Sequence, residues 1–232
     1  MAKNLPGSIP SNTLGVLGDI FQKVAAGVFS HLELERFVQK LNPFEIKMDK
    51  DSQLASWCAL LKDLCGIEID SGQVPIPKPT DGFNRLIVVP QGLTFNQIIE
   101  VCRTRFGNVY SDYRNLDEQV TVNDRTNQKT YAIWVRNRVE ADEEFKNLSA
   151  DDLATKQIHG TTLLERLLYE FKYHSETGDH LDIENVTSCT GSRGSGGFVP
   201  CVFWNRDLRG LFVFSYHPGC RRAGLRVRQV VA

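Results

Sequence analysis

The chain has 232 residues, a formal net charge of -1 and a hydrophobic content of 41%, values that are ordinary for a globular protein and lack the basic excess of a general nucleic-acid-binding protein. No apolar run approaches the roughly 18 residues of a transmembrane helix, and the first residues lack the apolar core of a secretory signal. We therefore expect a cytoplasmic protein without a membrane span, and leave export by another route open.

The first 72 residues are predicted to form a helical N-terminal region. An apolar stripe at helical spacing predicts a helix over residues 14–28. Ser30-His-Leu-Glu33 has the form of a capping box, which predicts a second helix that ends before Pro43. Oligomerisation and docking to another protein are both open as roles for these helices.

A third helix is predicted after Asp51, with Gly66 as its C-cap. Its apolar face comprises Leu54, Trp57, Leu61 and Leu64. Residues 73–82 then contain three alternating prolines, which favour an extended connector rather than a helix or a central strand. We therefore predict a domain boundary at this linker, followed by a second domain over residues 83–232.

The pattern after the linker is that of a mixed α+β domain. Short apolar strands are predicted at residues 86–89, 131–136, 198–204, 210–216 and 225–231. Helices are predicted to begin after the capping residues Thr94, Ser149 and Thr162. From Gly178 to the C-terminus we predict only strands and loops. The six cysteines form no Cys-x-x-Cys pair, and we interpret them as free thiols.

The two strands joined through residues 205–210 do not alternate apolar and polar residues, as a half-buried strand would. If Val202 and Val213 face the core, then Phe203 and Phe212 face the opposite way. Such a hairpin is either buried on both faces or displays an aromatic patch. Exposed aromatic patches are typical of interaction sites.

Composition favours the displayed patch. Residues 194–224 contain no Lys, Glu, Gln or Met, although about five would be expected from average usage. Arginine persists in and around this segment, at positions 193, 206, 209, 221, 222, 226 and 228, against the single acid Asp207. Interleaved aromatic and arginine side chains are typical of protein-binding hot spots. Nucleic acid is the weaker interpretation, because neither lysines nor a basic excess accompany the arginines.

Several separated motifs point to a family. They are Val122–Arg125, Tyr131–Arg136, Val139–Glu144, Thr162–Leu168, His180–Asp182, Gly191–Trp204, Tyr216–Pro218 and Leu225–Val231. Together they resemble, in their order, the target (variable) proteins of diversity-generating retroelements. The resemblance covers residues 84–232 and implies an α+β fold of the C-type-lectin-like kind, in the irregular version shared with formylglycine-generating enzymes. It places a variable region at about residues 191–232.

The resemblance implies a ligand-binding protein and not an enzyme, with a C-terminal surface diversified by reverse transcription that miscopies adenines. Asparagine codons altered in this way cannot encode Lys, Glu, Gln, Met or Trp, in agreement with the compositional gap. We expect the diversified positions at the surface, facing an unidentified macromolecular partner, which we take to be a protein. The positions that look diversified are Gly194, Phe198, Cys201, Phe203, Asn205, Arg206, Leu208, Gly210, Phe212, Phe214, His217, Gly219, Arg222 and Ala223. Those expected to form the scaffold are Val199, Pro200, Val202, Trp204, Arg209, Val213 and Pro218. The sequence departs from the family pattern at Ser188, Ser215 and Gln229.

An enzyme on the same fold is the alternative. It would be similar to formylglycine-generating oxidases, with Cys201 and Cys220 as a copper-binding thiol pair. In the binding interpretation we expect no catalytic residue, cofactor or metal. Arg206 would occupy the ion position of a lectin-type calcium site, and the spacing of His217 and Cys220 matches no familiar zinc pattern.

Overall fold

The structure, a computed structural model, describes residues 49–232 and, before them, Gln22 alone. The helices predicted over residues 14–28 and from Ser30 to Pro43 therefore lie outside the described residues. Residues 49–232 group into one unit by their mutual contacts.

Helix α1 (Lys50–Cys65) forms where the apolar stripe predicts it. The Asp49 side chain caps its first turn by accepting two backbone hydrogen bonds, and Gly66 ends it in the left-handed conformation, with φ of 64°. On its apolar face, the side chains of Leu54, Trp57 and Leu61 are buried.

Four further helices follow: α2 (Phe95–Phe106), α3 (Leu116–Gln119), α4 (Ala150–Thr155) and α5 (Leu163–Thr177). Short 3-10 turns lie at Ser71–Gln73 and Glu143–Phe145. The predicted caps Thr94, Ser149 and Thr162 are confirmed, since each forms a capping box with the residue three positions on. These local hydrogen bonds set where α2, α4 and α5 begin.

The strands are β1 (Arg85–Val89), β2 (Asn108–Ser111), β3 (Val120–Asn123), β4 (Tyr131–Val135), β5 (Val186–Ser188), β6 (Ser192–Gly194), β7 (Val199–Asn205), β8 (Gly210–Tyr216) and β9 (Leu225–Arg226). They form a five-stranded sheet in the order β2-β8-β7-β5-β9 and two antiparallel pairs, β1-β4 and β3-β6. The strand predicted over residues 225–231 is regular only at its start. Its remainder makes isolated bridges to Gly160 and Trp134.

One hydrophobic core joins most of these elements, and a smaller separate cluster contains Leu153 of α4. Helix α5 contributes the fully buried Leu167 and Phe171, and α1 lies in the same core cluster as β1 and the β7–β8 hairpin. The Trp57 indole donates a hydrogen bond to the carbonyl of Leu86 at 2.8 Å. The predicted boundary at residues 73–82 is therefore corrected. That segment runs along the shared core, where the Trp134 indole donates to the carbonyl of Pro77 at 2.9 Å.

The predicted α+β class is confirmed by this combination of helices and mainly antiparallel pairs. Among the described residues, no helix is both long and apolar enough to cross a membrane. The part of the fold that positions the candidate site is the β7–β8 hairpin with its neighbour β2.

Candidate binding surface

The β7–β8 hairpin turns through residues 206–209. The Asn205 side chain accepts a hydrogen bond from the Leu208 backbone N–H at 2.9 Å, and Arg209 adopts a left-handed φ of 46°, which few non-glycine residues do. Arg206 and Leu208 are exposed on this turn, as expected. Arg209 is exposed too, which corrects its expected place in the scaffold, because the turn uses its backbone and leaves its side chain in solvent.

The strand register assigns each side chain of the hairpin to one of two faces. Directly opposite residues of an antiparallel pair share a face. Trp204 pairs with Leu211 and Val202 with Val213, and these four side chains lie in the hydrophobic core. Phe203 pairs with Phe212 on the other face. The predicted facing of this part of the hairpin is therefore confirmed.

Five rings form a continuous row on the face away from the core, which we call the aromatic strip: Tyr110, Phe212, Phe203, Phe214 and Tyr216. Tyr110 stacks on Phe212 with centroids 4.6 Å apart, and Phe203 contacts Phe212 at 5.1 Å. Phe214 meets Phe203 edge to face at 5.6 Å and Tyr216 at 5.0 Å. Such pairs stabilise one another beyond the area they bury.

The strip lies outside the core. Phe203, Phe212, Phe214 and Tyr216 are half-buried, and Tyr110 is 41% exposed. Among the described residues, the two clusters of buried apolar side chains include none of the five rings. Contacts between the rings of the strip therefore account for part of their burial.

Exposed residues lie at the Tyr216 end of the strip, and we call them the rim. Phe198 is 43% exposed and packs edge to face on His217, with centroids 6.0 Å apart. The Arg222 guanidinium lies 4.9 Å from the ring centre of Tyr216, which is cation–π distance. Gly219 and Ala223 are also exposed, as expected. The rim thus adds cationic and small side chains to an apolar centre.

Acidic residues from other parts of the chain neutralise some of the arginines that the sequence groups together. Arg221 forms a bidentate ion pair with Asp152, in which both hydrogen bonds are 2.7 Å long. Arg226 forms an ion pair with Glu143 at 2.5 Å. Within residues 49–232, no acidic side chain forms an ion pair with Arg209 or Arg222. The cationic character of the surface therefore comes from a smaller set of arginines than the sequence suggests.

Three positions expected at the surface are buried. Cys201 is fully buried, opposite Phe214 on one side and Ser188 on the other, so that neighbouring strands cover it. Gly194 lies in β6, and Gly210 lies beneath the Tyr110 ring. Their expected display is corrected, because strand alternation predicts which face a residue occupies but not whether another element covers it.

The buried position of Cys201 also determines its chemistry. Burial raises the pKa of this thiol to about 12, so it stays protonated at neutral pH. Cys220, the other half of the alternative copper pair, is half-buried, and all six cysteines are free. Among the described residues, no group of three or more His, Cys, Asp or Glu side chains is arranged to hold a metal ion.

A buried network of charged side chains stands behind the core face of the hairpin. The Trp204 ring stacks on His180, with centroids 3.2 Å apart, and His180 hydrogen-bonds Glu170 at 2.8 Å. Arg166 connects Glu170 to Asp182, with both distances 2.9 Å. Buried charges are tolerated when they are paired and hydrogen-bonded in this way.

Asp182 is the centre of this network. Its carboxylate also accepts from Arg228 at 2.6 Å, and its backbone carbonyl accepts from the N–H of Trp204 at 3.1 Å. Burial alone would raise the pKa of Asp182, but the two arginines outweigh it and hold the pKa below its usual value. The network therefore fixes β7 from behind.

Sequence reasoning missed Tyr110 as a member of the surface. Tyr110 lies in β2, which begins directly after the predicted end of a helix at Gly107. This strand is four residues long, and its side chains are alternately exposed and half-buried. The available signal was an aromatic residue in a short segment directly after the predicted end of that helix. The pairing of β2 with β8 joins residues about 100 positions apart, which no local pattern encodes.

Neither a protein-family model, nor a curated protein, nor a solved structure matches the chain.

Proposed function

We propose that the aromatic strip and its rim are the partner-binding surface of a recognition protein, and that a retroelement diversifies this surface. The observation that carries the proposal is the division of the hairpin into two apolar faces, of which only one lies in the core. An apolar face that the fold does not cover is typical of an interaction site.

The chemistry of the surface suits a protein partner. Half-buried phenylalanines provide an apolar centre, and exposed Arg206, Arg209 and Arg222 provide cations around it. Aromatic and arginine side chains are enriched among the residues that dominate protein–protein binding energy. The expected partner therefore presents an apolar patch with acidic groups at its edge.

A rigid frame with replaceable side chains explains how such a surface could vary. Side chains that pack outside the core contribute little to folding, so their identity can change at small cost. Val202, Trp204, Leu211 and Val213 hold the strands from the opposite face. This arrangement supports diversification at the exposed and half-buried positions of the hairpin and its rim.

We assign the domain to the C-type-lectin-like fold on the same resemblance. The assignment is supported by the physical role of its motifs. Arg166, His180, Asp182 and Arg228 come from three separate motifs and meet in the buried network behind β7. These three motifs therefore have a common structural role, because their side chains stabilise the strand that carries the proposed surface.

Sequencing the same locus from sibling isolates tests the proposal. We expect substitutions at Phe198, Phe203, Arg206, Leu208 and other exposed positions, arising from adenines, with the core face unchanged. A near-identical template repeat beside a reverse-transcriptase gene should accompany the locus. An invariant C-terminal segment that always retains Cys201 and Cys220 would contradict the proposal and favour the oxidase alternative.

A further inference from the structure

Tyr110 extends the aromatic strip beyond the C-terminal segment. It belongs to β2, which pairs in parallel with β8 and places Tyr110 beside Phe212. The two rings stack with centroids 4.6 Å apart and an interplanar angle of 26°. With 41% of its surface exposed, Tyr110 is one of the few exposed large hydrophobic side chains among the described residues.

The position of the Tyr110 ring depends on the residue at position 210. A Cβ added to Gly210 would lie 2.6 Å from Cε2 and 2.9 Å from Cδ2 of Tyr110, and 3.1 Å from Cβ of Asn108. Cβ atoms do not approach other carbon atoms within 3.0 Å, so any side chain at position 210 requires a shift, which the exposed Tyr110 ring makes more easily than the backbone. Gly224 provides a contrast, because an added Cβ there would meet nothing within 4 Å.

We propose that Tyr110 is a fixed part of the partner-binding surface, and that the residue at position 210 sets where its ring lies. The proposal rests on the proposed function. Tyrosine suits such a role, because it offers a large rigid contact area and loses little conformational entropy on binding. Gly210 is buried beneath the ring, but it is one of the positions that the family resemblance marks as diversified. Variation there changes the orientation of a side chain that itself stays constant.

The partner that this surface fits is a protein with acidic groups around an apolar patch. The charge of the surface supports this choice, because Arg206, Arg209 and Arg222 are exposed near the turn and the rim, while Asp207 is the one acid on the turn. Arg206 forms a long, exposed ion pair with Glu184, with 3.9 Å between its nitrogen and the carboxylate. Exposed arginines whose ion pair is this weak, or that form none within residues 49–232, are available to an acidic partner.

The experiment uses the full chain and ovalbumin, an acidic protein, as a defined probe. A display library randomised at Phe198, Phe203, Arg206, Leu208, Phe212 and His217, with Tyr110 and Gly210 kept, is selected for ovalbumin binders. Tyr110→Ala, Tyr110→Phe and the control Val122→Ala are then introduced into several independent binders. Val122 is 59% exposed on β3, in a different sheet. Circular dichroism checks that each variant is folded.

We expect Tyr110→Ala to weaken binding at least tenfold in most binders, Tyr110→Phe to restore most of the affinity, and Val122→Ala to change Kd less than twofold. Unchanged Kd in every Tyr110→Ala binder would overturn the role of Tyr110. A library without binders would count against the proposed function, and would overturn this inference together with it.

Gly210→Ala and the matched control Gly224→Ala test the second half of the proposal. We expect Gly210→Ala to weaken most binders at least fivefold and to abolish the NMR contacts between the Tyr110 and Phe212 rings, while Gly224→Ala leaves both unchanged. Ring contacts and affinities that survive Gly210→Ala would overturn the control of Tyr110 by position 210.

Discussion

The two faces of the β7–β8 hairpin are both apolar, but they stand in different relations to the fold. On the core face, Leu211 and Val213 are buried against helices and other strands. On the opposite face, Phe203 and Phe212 are half-buried and contact each other, with ring centroids 5.1 Å apart. The comparison teaches that apolar character alone does not make a residue structural. What packs against the residue decides how much the fold depends on it.

The network behind the core face should give the largest effect. Asp182→Ala leaves Arg166 and Arg228 buried without their shared partner, and we expect a loss of about 3–5 kcal/mol in the free energy of unfolding, measured in urea. Glu144→Ala removes one half of an exposed pair with Arg138 and should cost less than about 1 kcal/mol. Equal losses would contradict a structural role for the network.

Truncation of neighbouring residues on the two faces tests the comparison directly. Leu211→Ala removes a fully buried side chain from the core, for which we expect a loss of roughly 2–5 kcal/mol. Phe212→Ala removes a larger side chain from the aromatic strip, yet should cost only about 1 kcal/mol, chiefly its ring contacts. If Phe212→Ala destabilised the protein as much as Leu211→Ala, the strip would be part of the core.

Cys201 is the exception on the strip side, and it should behave as a core residue. Cys201→Ser places a hydroxyl in a buried site and is expected to cost about 1–3 kcal/mol. Cys220→Ser, at a half-buried position, should stay within about 0.5 kcal/mol. In the native protein at pH 8, iodoacetamide should label Cys220 well before Cys201. Fast labelling of Cys201 would show that the thiol is accessible.

The smallest expected effect is on the pH dependence of stability, and it comes from His174, which packs on the core side of the hairpin. Burial, together with the nearby His180, lowers the pKa of His174 from 6.5. The unfolded chain therefore binds this proton more readily, so stability should fall as pH falls below about 6.5. His174→Phe keeps the ring contact with Phe106 and should reduce the drop in Tm between pH 7.5 and pH 5.5. Identical pH profiles for the two proteins would disprove this origin.

Several features of the fold could be predicted from short stretches of sequence. The capping boxes at Thr94 and Thr162 and the C-cap at Gly66 depend on hydrogen bonds within a few residues. The facing of Phe203 and Phe212 follows from the pleat of a strand. Each of these is a local property, so residue spacing is enough to reveal it.

Other features could not be predicted, because they depend on elements that are distant along the chain. The linker at residues 73–82 carries the composition of a domain boundary, but the helix before it packs into the common core. Cys201 occupies an outward strand position, but neighbouring strands cover it. Tyr110 joins the strip only through the pairing of β2 with β8.

The sequence by itself determined where the capped helices begin, that residues 199–216 form a hairpin with two apolar faces, and that arginine replaces lysine around it. The tertiary structure alone decided which parts of the outward face stay open, which arginines are neutralised, and that Arg166, Asp182 and Arg228 meet behind β7. The physical reason is how far apart along the chain the interacting residues lie. Caps and pleats are set by neighbours in the chain, whereas burial and ion pairing are set by whatever the completed fold brings alongside.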